Sequence, residues 1–167
     1  MRKIWFVFFA SLLAADVLTK ALVSASVPMM GPFDRVYPFG GIGIFSDLFG
    51  VSFSINYVIN TGAAWGIFSG NSGLLFALRS AIILGMFAYL LFSKAKGTPK
   101  IPLWIVAIGA LGNAIDYCVY GHVVDFLHFT FGGHSFPLFN IADSCITLGV
   151  LGLLVFSRSG KKQMQTL

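Results

Sequence analysis

Residues 136–157 read FPLFNIADSCITLGVLGLLVFS, an apolar run that as a helix would reach across a hydrocarbon core of ~30 Å while carrying one acid, Asp143, about two turns from its start. A charge at the bilayer centre costs on the order of 3 kcal/mol or more, so an acid there demands a function or a partner. The fold turns on whether this run is a membrane span. Composition favours that reading: 57% of the 167 residues are hydrophobic and 10% are charged. The mean hydropathy of +0.86 lies outside the range of ordinary soluble domains.

Three further runs have the same character, at 4–23 (IWFVFFASLLAADVLTKALV), 73–92 (GLLFALRSAIILGMFAYLLF) and 101–120 (IPLWIVAIGALGNAIDYCVY). The expected architecture is a single integral membrane domain over 1–167, all-α and polytopic, with four transmembrane helices. Arg2 and Lys3 precede the first run, Lys94, Lys96 and Lys100 fill the connection between the second and third, and Arg158, Lys161 and Lys162 follow the fourth. Positive residues mark the cytoplasmic side, which places both termini inside. The formal charge of +5 resides largely in these juxtamembrane clusters, which sets nucleic acid aside as a partner. The first run also has the layout of a signal peptide, but Asp16 and Lys20 interrupt the place where a clean apolar region would finish, so it is expected to remain as a helix.

The six acids are all Asp, and none falls in an expected cytoplasmic segment. At ~1.5 Å per residue, Asp116 lies about 6 Å below the outer end of the third helix, Asp143 about 9 Å into the fourth and Asp16 about 10 Å into the first. Lys20, four residues after Asp16, is its natural neutralising partner. Asp125 sits in the connection YGHVVDFLHFTFGGHS, apolar on both sides, and a short connection lets it face Asp143. Two carboxylates sharing a partly dry site cannot both ionise easily, so one retains a proton while the other stays charged. Such a pair can take a proton from water and donate one to a carbonyl oxygen, which is amide hydrolysis without a metal, a cofactor or a covalent intermediate.

Other chemistries fit the sequence less well. His122, His128 and His134 recur every six residues, which matches no zinc-binding spacing, and they read as loop or interfacial histidines. Cys118 and Cys145 read as small apolar fillers within helices, and no nucleophile signature accompanies the serines.

The outer segment, about 24–72, is expected to form a small β-rich cradle and flap. Within it VSFSINYVIN alternates, with Val51, Phe53, Ile55, Tyr57 and Ile59 on the apolar face of a half-buried strand. GGIG at 40–43 reads as turn material, and NTGAAWGIF as a short interfacial helix or flap. A transporter subunit would gather acids near the midplane and often repeat its halves, and an assembly protein would have no use for a separate outer Asp125.

Five blocks in order resemble the bacterial lipoprotein signal peptidases, or signal peptidase II: DVLTK at 16–20, NTGAAW at 60–65, GNAID at 112–116, VVDF at 123–126 and FNIAD at 139–143. The resemblance implies an aspartyl intramembrane endopeptidase of the bacterial plasma membrane. Such an enzyme removes signal peptides from lipid-modified prolipoproteins, cutting just before the diacylglyceryl-cysteine. It implies that Asp125 and Asp143 are the catalytic pair, that Asn60, Gly62, Asn113 and Asn140 contact substrate or support the pair, and that Asp16, Lys20 and Asp116 brace the helices. The expected partners are the prolipoprotein and membrane lipids, with the enzyme a monomer. Where the family usually has Arg after the GN-x-x-D aspartate, this chain has Tyr117, which replaces a permanent charge and a fork of donors with one hydroxyl.

Overall fold

The computed structural model describes residues 3–61, 72–94 and 100–164. Four helices, α1 (Lys3–Ser26), α2 (Ser72–Phe92), α3 (Lys100–Tyr120) and α4 (Ile141–Met164), accompany one antiparallel sheet of β1 (Ile42–Leu48), β2 (Val51–Asn60), β3 (Val123–Phe131) and β4 (His134–Ser135), in that spatial order. Helix α3 packs against each of the other three helices and touches β3, so it is the hub between bundle and sheet.

The helices are inside-out relative to a soluble bundle. On α1 the buried positions are Phe9, Asp16, Lys20 and Val23, a stripe at helical spacing that turns two charges inward. Leu18 and Leu22 on the same helix, and Ile82, Leu84 and Phe92 on α2, are exposed. Apolar side chains facing out and ions facing in suit a lipid surround. By length and composition α1 and α3 are apolar enough to cross a membrane, whereas the apolar stretches of α2 and α4 are shorter, Phe76–Phe92 and Ile141–Phe156. Among the described residues, two clear spans therefore stand where four were expected.

The sheet corrects the all-α expectation most. The connection holding Asp125 folds as β3, the central partner of β2, with pairs from Val51↔Phe131 to Asn60↔Val123 and a break in register between Ile55 and Val58. Strand β1, starting at Ile42, also takes up the last two residues of the expected GGIG turn. The alternation in β2 is real, but its innermost side chains are the polar Ser54 and Asn56, which are fully buried. They are satisfied there: Ser54 Oγ donates to Asn56 Oδ1 at 2.6 Å, and Asn56 Nδ2 donates to the Pro38 and Phe39 carbonyls at 2.8 and 2.9 Å. With its amide oriented that way, Asn56 Oδ1 accepts from His128 Nδ1 at 3.2 Å, while His128 Nε2 meets Ser135 Oγ at 2.6 Å. His128 is thus a buried histidine of the sheet, not a loop or interfacial one, and burial pushes its pKa below the ordinary value. Cys145 is buried, as a filler should be, whereas Cys118 lies on an exposed face.

Helix α4 begins at Ile141, five residues later than the apolar run. Residues 136–139 extend along β3 instead, with Phe136 N–H donating to Phe129 O and Leu127 N–H to Phe139 O, both at 2.8 Å. Asn140 then caps the helix: its Oδ1 accepts the Asp143 N–H at 2.8 Å, and Asp143 Oδ2 accepts the Asn140 N–H at 3.3 Å. This reciprocal box puts Asp143 in the first turn, at the sheet end of the bundle, and not two turns deep.

Two glycines let α3 approach its neighbours. A Cβ on Gly109 would stand 2.5 Å from Ala142 O, and one on Gly112 2.5 Å from Asp16 Oδ2. Gly109→Ala is expected to lower stability by about 1–3 kcal/mol, outweighing the ~1 kcal/mol that alanine gains in helix propensity. Thermal unfolding in detergent checks this, and an unchanged melting temperature would show that α3 and α4 can separate freely.

Candidate active site

Three helices and two strands place their polar side chains at one level, where the bundle meets the sheet. Lys20 of α1 is completely buried; its ammonium donates to Asn113 Oδ1 at 2.8 Å and forms ion pairs with Asp16 Oδ2 at 2.8 Å and Asp116 Oδ2 at 3.0 Å. The two carboxylates reach further. Asp16 Oδ1 accepts the Ala142 N–H at 2.8 Å, securing the start of α4, and Asp116 Oδ2 accepts the Val124 N–H at 3.1 Å, securing the start of β3. One ion cluster therefore ties α1 and α3 to the elements that carry Asp143 and Asp125.

Asn113 relays that order. With its oxygen held by Lys20, its Nδ2 must face the other way, and it donates to Asp143 Oδ1 at 2.8 Å. Asp125, on β3 and only 4% exposed, accepts from Asn60 Nδ2 at 2.9 Å on one oxygen and from Asn140 Nδ2 at 2.7 Å on the other. Asn140 is the hinge of the pair, since it binds Asp125 through its side chain and Asp143 through both its backbone and its side-chain oxygen.

Of the nine residues picked out from the sequence, eight belong to this connected network; Gly62, with the rest of the expected flap after Thr61, lies outside the described residues. The sequence links Lys20 to Asp16 alone, whereas the fold adds Asp116 and Asn113. It also passes over Arg79, although a cation inside the apolar run 73–92 is itself a signal.

Burial pushes the Asp125 pKa up to about 6, and the nearby Asp143 carboxylate adds to the effect, while the amides of Asn60 and Asn140 and the charge of Lys20 oppose it. Because the folded form then holds this proton more tightly than the unfolded chain, stability falls as pH rises from about 4 through about 6. Allowing for water reaching the cavity, the loss is on the order of 1–2 kcal/mol. Unfolding followed from pH 4 upward should show that decline in the wild type and a flatter profile in Asp125→Asn. Parallel profiles would place the titration elsewhere.

A cavity of ≈ 280 Å³ opens beside Asp143, bounded by Asn60, Asn113 and Val123 on one side and by Phe76, Arg79 and Ile83 of α2 on the other. It adjoins an apolar groove between α2 and α3, with which it shares Phe76, Ile83 and Ala114. The arrangement sets an acid whose pKa is raised beside a second acid fixed by amides and a backbone cap, with an apolar groove adjoining the cavity.

Known proteins point the same way. The Peptidase A8 family, described as "Signal peptidase (SPase) II", matches residues 8–158. The lipoprotein signal peptidase of Bacillus subtilis (strain 168) is 34% identical over 92% of this chain and 94% of its own. That of Xanthomonas axonopodis pv. citri (strain 306) is 34% identical over 97% and 90%. The protein of the same name from Chlamydia pneumoniae is 48% identical over a shorter stretch, 63% of each chain. Among solved structures, a bacterial membrane enzyme determined in meso at 1.9 Å superposes with a TM-score of 0.72 at 25% identity, covering 93% of this chain and 92% of the other. With its match running from α1 into α4 and full-length relatives on both counts, the chain belongs to the signal peptidase II family of proteases.

Proposed function

We propose that the protein is an aspartyl endopeptidase that removes the signal peptide from diacylglyceryl-modified prolipoproteins, cutting immediately before the lipidated cysteine. The observation that carries this reading is Asn140, which joins Asp125 to Asp143, itself a wall of the cavity. Asp143 takes a proton from water, the water oxygen adds to the scissile carbonyl carbon, and Asp125 gives its proton to the carbonyl oxygen. The tetrahedral intermediate then collapses, the C–N bond breaks, the departing amine takes up the proton that Asp143 acquired, and one hydroxyl of the intermediate returns a proton to Asp125 as the carboxylic acid forms. Substrate covering the site removes more water and favours the protonated form of Asp125 further.

The placement suits the substrate. Its acyl chains must stay in lipid while the adjacent peptide bond meets water, and the groove between α2 and α3 offers apolar walls beside the cavity. Each CH₂ kept from water contributes ~0.8 kcal/mol, so lipid anchoring supplies affinity with little reading of peptide sequence. The chain works as a single domain and a monomer. It sits in the bacterial plasma membrane, both termini in the cytoplasm and the catalytic end outside. The clusters of Lys and Arg at the ends opposite the sheet support that orientation.

The test is to purify the protein in detergent and measure release of the signal peptide from a diacylglyceryl-modified prolipoprotein and from its unmodified form. Cleavage of the modified substrate alone, at the bond before the cysteine, is the expected result. Equal cleavage of both would remove the lipid from the recognition step, and cleavage of neither would remove the peptidase reading.

A further inference from the structure

Phe76 of α2 stacks on Tyr117 of α3, with ring centroids 5.2 Å apart and planes 17° off parallel. The pair stands where two spaces meet. Both residues line the cavity beside Asp143, and Phe76, with Ile83 and Ala114, also lines the apolar groove between α2 and α3. Tyr117 follows Ala114 by three residues and so lies on the same face of α3, while its next neighbours, Cys118 and Val119, belong to the groove. It comes three residues before α3 ends at Tyr120, hence about 5 Å below the outer end of the helix. That is the level at which a ring with one polar end sits between lipid and water. Tyr117 is half-buried, and among the described residues its hydroxyl has no hydrogen-bonding partner.

A substrate whose cysteine carries a diacylglyceryl group must pass this point. The scissile bond lies beside Asp143, the lipid hangs from the side chain of the adjacent cysteine, and the acyl chains run into the groove. What crosses from cavity to groove is therefore the glyceryl part, with its two ester carbonyls. An ester carbonyl that leaves water for apolar walls loses free energy unless a donor meets it. The amides of Asn60 and Asn113 are directed to Asp125 and Asp143, on the peptide side of the cavity. The Tyr117 hydroxyl is a neutral donor on the lipid side, which matches a neutral acceptor.

We infer that Tyr117 is a specificity-determining residue of the peptidase, its hydroxyl donating a hydrogen bond to an ester carbonyl of the diacylglyceryl group where the lipid passes from cavity to groove. The inference rests on the proposed function and adds a directed polar contact to a lipid recognition otherwise supplied by burial of CH₂ groups. A bond to the glyceryl part is remote from the reacting carbonyl and is made equally in the bound substrate and the transition state. Its loss therefore appears in KM and leaves kcat largely alone.

The experiment gives the protein, in lipid nanodiscs, two prolipoproteins: one with the ester-linked diacylglyceryl group and one with its dialkyl ether counterpart, which has the same chains and no carbonyl. Wild type is compared with Tyr117→Phe, which keeps the ring on Phe76 and removes only the hydroxyl, and both melting temperatures are recorded. Wild type is expected to show a KM about fivefold higher for the ether substrate than for the ester, about 1 kcal/mol, the net size of one hydrogen bond. Tyr117→Phe should raise KM for the ester about fivefold, leave that for the ether where it was and so erase the difference, with kcat within about twofold and the melting temperature unaltered. A rise of equal size on both substrates assigns the hydroxyl to the peptide main chain and overturns the inference, as does an unchanged KM for the ester. A fall in melting temperature together with kcat makes the hydroxyl a structural group, with the same consequence. The wild-type comparison needs no substitution: equal KM values for the two substrates remove this inference alone, whereas wild type that cleaves neither removes the proposed function and this inference with it.

Discussion

Asp143→Asn is expected to slow release of the signal peptide by about three orders of magnitude in protein that retains its fold, and Asp125→Asn to do the same. The replacements keep the volume and take away the group that can gain or release a proton. The amide introduced at position 143 can still accept from Asn113 Nδ2 through its oxygen, and position 125 keeps an acceptor for Asn140, so the surrounding network has a way to remain in place. The double variant should be scarcely slower than either single one, because two groups that act in one step fail together. KM for the lipidated substrate should change little in all three, since acyl-chain burial does not involve the carboxylates. If either folded single variant cleaves at the normal rate, the two-aspartate chemistry is wrong; if the double variant loses the product of the single losses, the residues act in separate steps.

How much of this was legible beforehand depends on how local each signal is. The helices could be located from hydropathy because a run of ~20 apolar residues is a local property, and their inward charges follow from the same rule. Asp125 and Asp143 could be paired because both lie at one end of the chain's apolar runs, a coarse fact of position. Strand β3 was hidden because VVDFLHFTF is covered on both faces, and a strand with no wet face shows no alternation to read. The start of α4 was misplaced because Phe136 and Leu138 are as apolar beside a strand as they would be in a helix, and only the Asn140 box separates the two. On β2 the buried face proved to be the polar one, since Ser54 and Asn56 find partners in Phe39 and His128, remote in sequence and invisible to a periodic pattern.

Lys20 makes the same point at the centre of the site. Its spacing from Asp16 is a local signal, but Asp116 and Asn113 reach it from α3 only after the helices pack. Lys20→Met, which keeps the length of the side chain and removes its charge, is expected to destabilise the protein by about 3–5 kcal/mol, because it leaves two buried carboxylates facing each other without a countercharge. Asp16 and Asp116 are 2% and 1% exposed, so water cannot take the place of the ammonium. The loss should reach catalysis as well. Without Lys20 nothing holds Asn113 Oδ1, the amide is free to turn its oxygen toward Asp143, and an acceptor then meets an acceptor. Thermal unfolding of Lys20→Met measures the first effect. The triple variant Lys20→Met, Asp16→Asn, Asp116→Asn isolates the second, since it removes the unpaired charges and should recover much of the melting temperature while cleavage stays low. Recovery of both together would mean that Lys20 serves only as a countercharge, and a stable, active Lys20→Met would show that the cluster neither holds the helices nor orients the Asn113 amide.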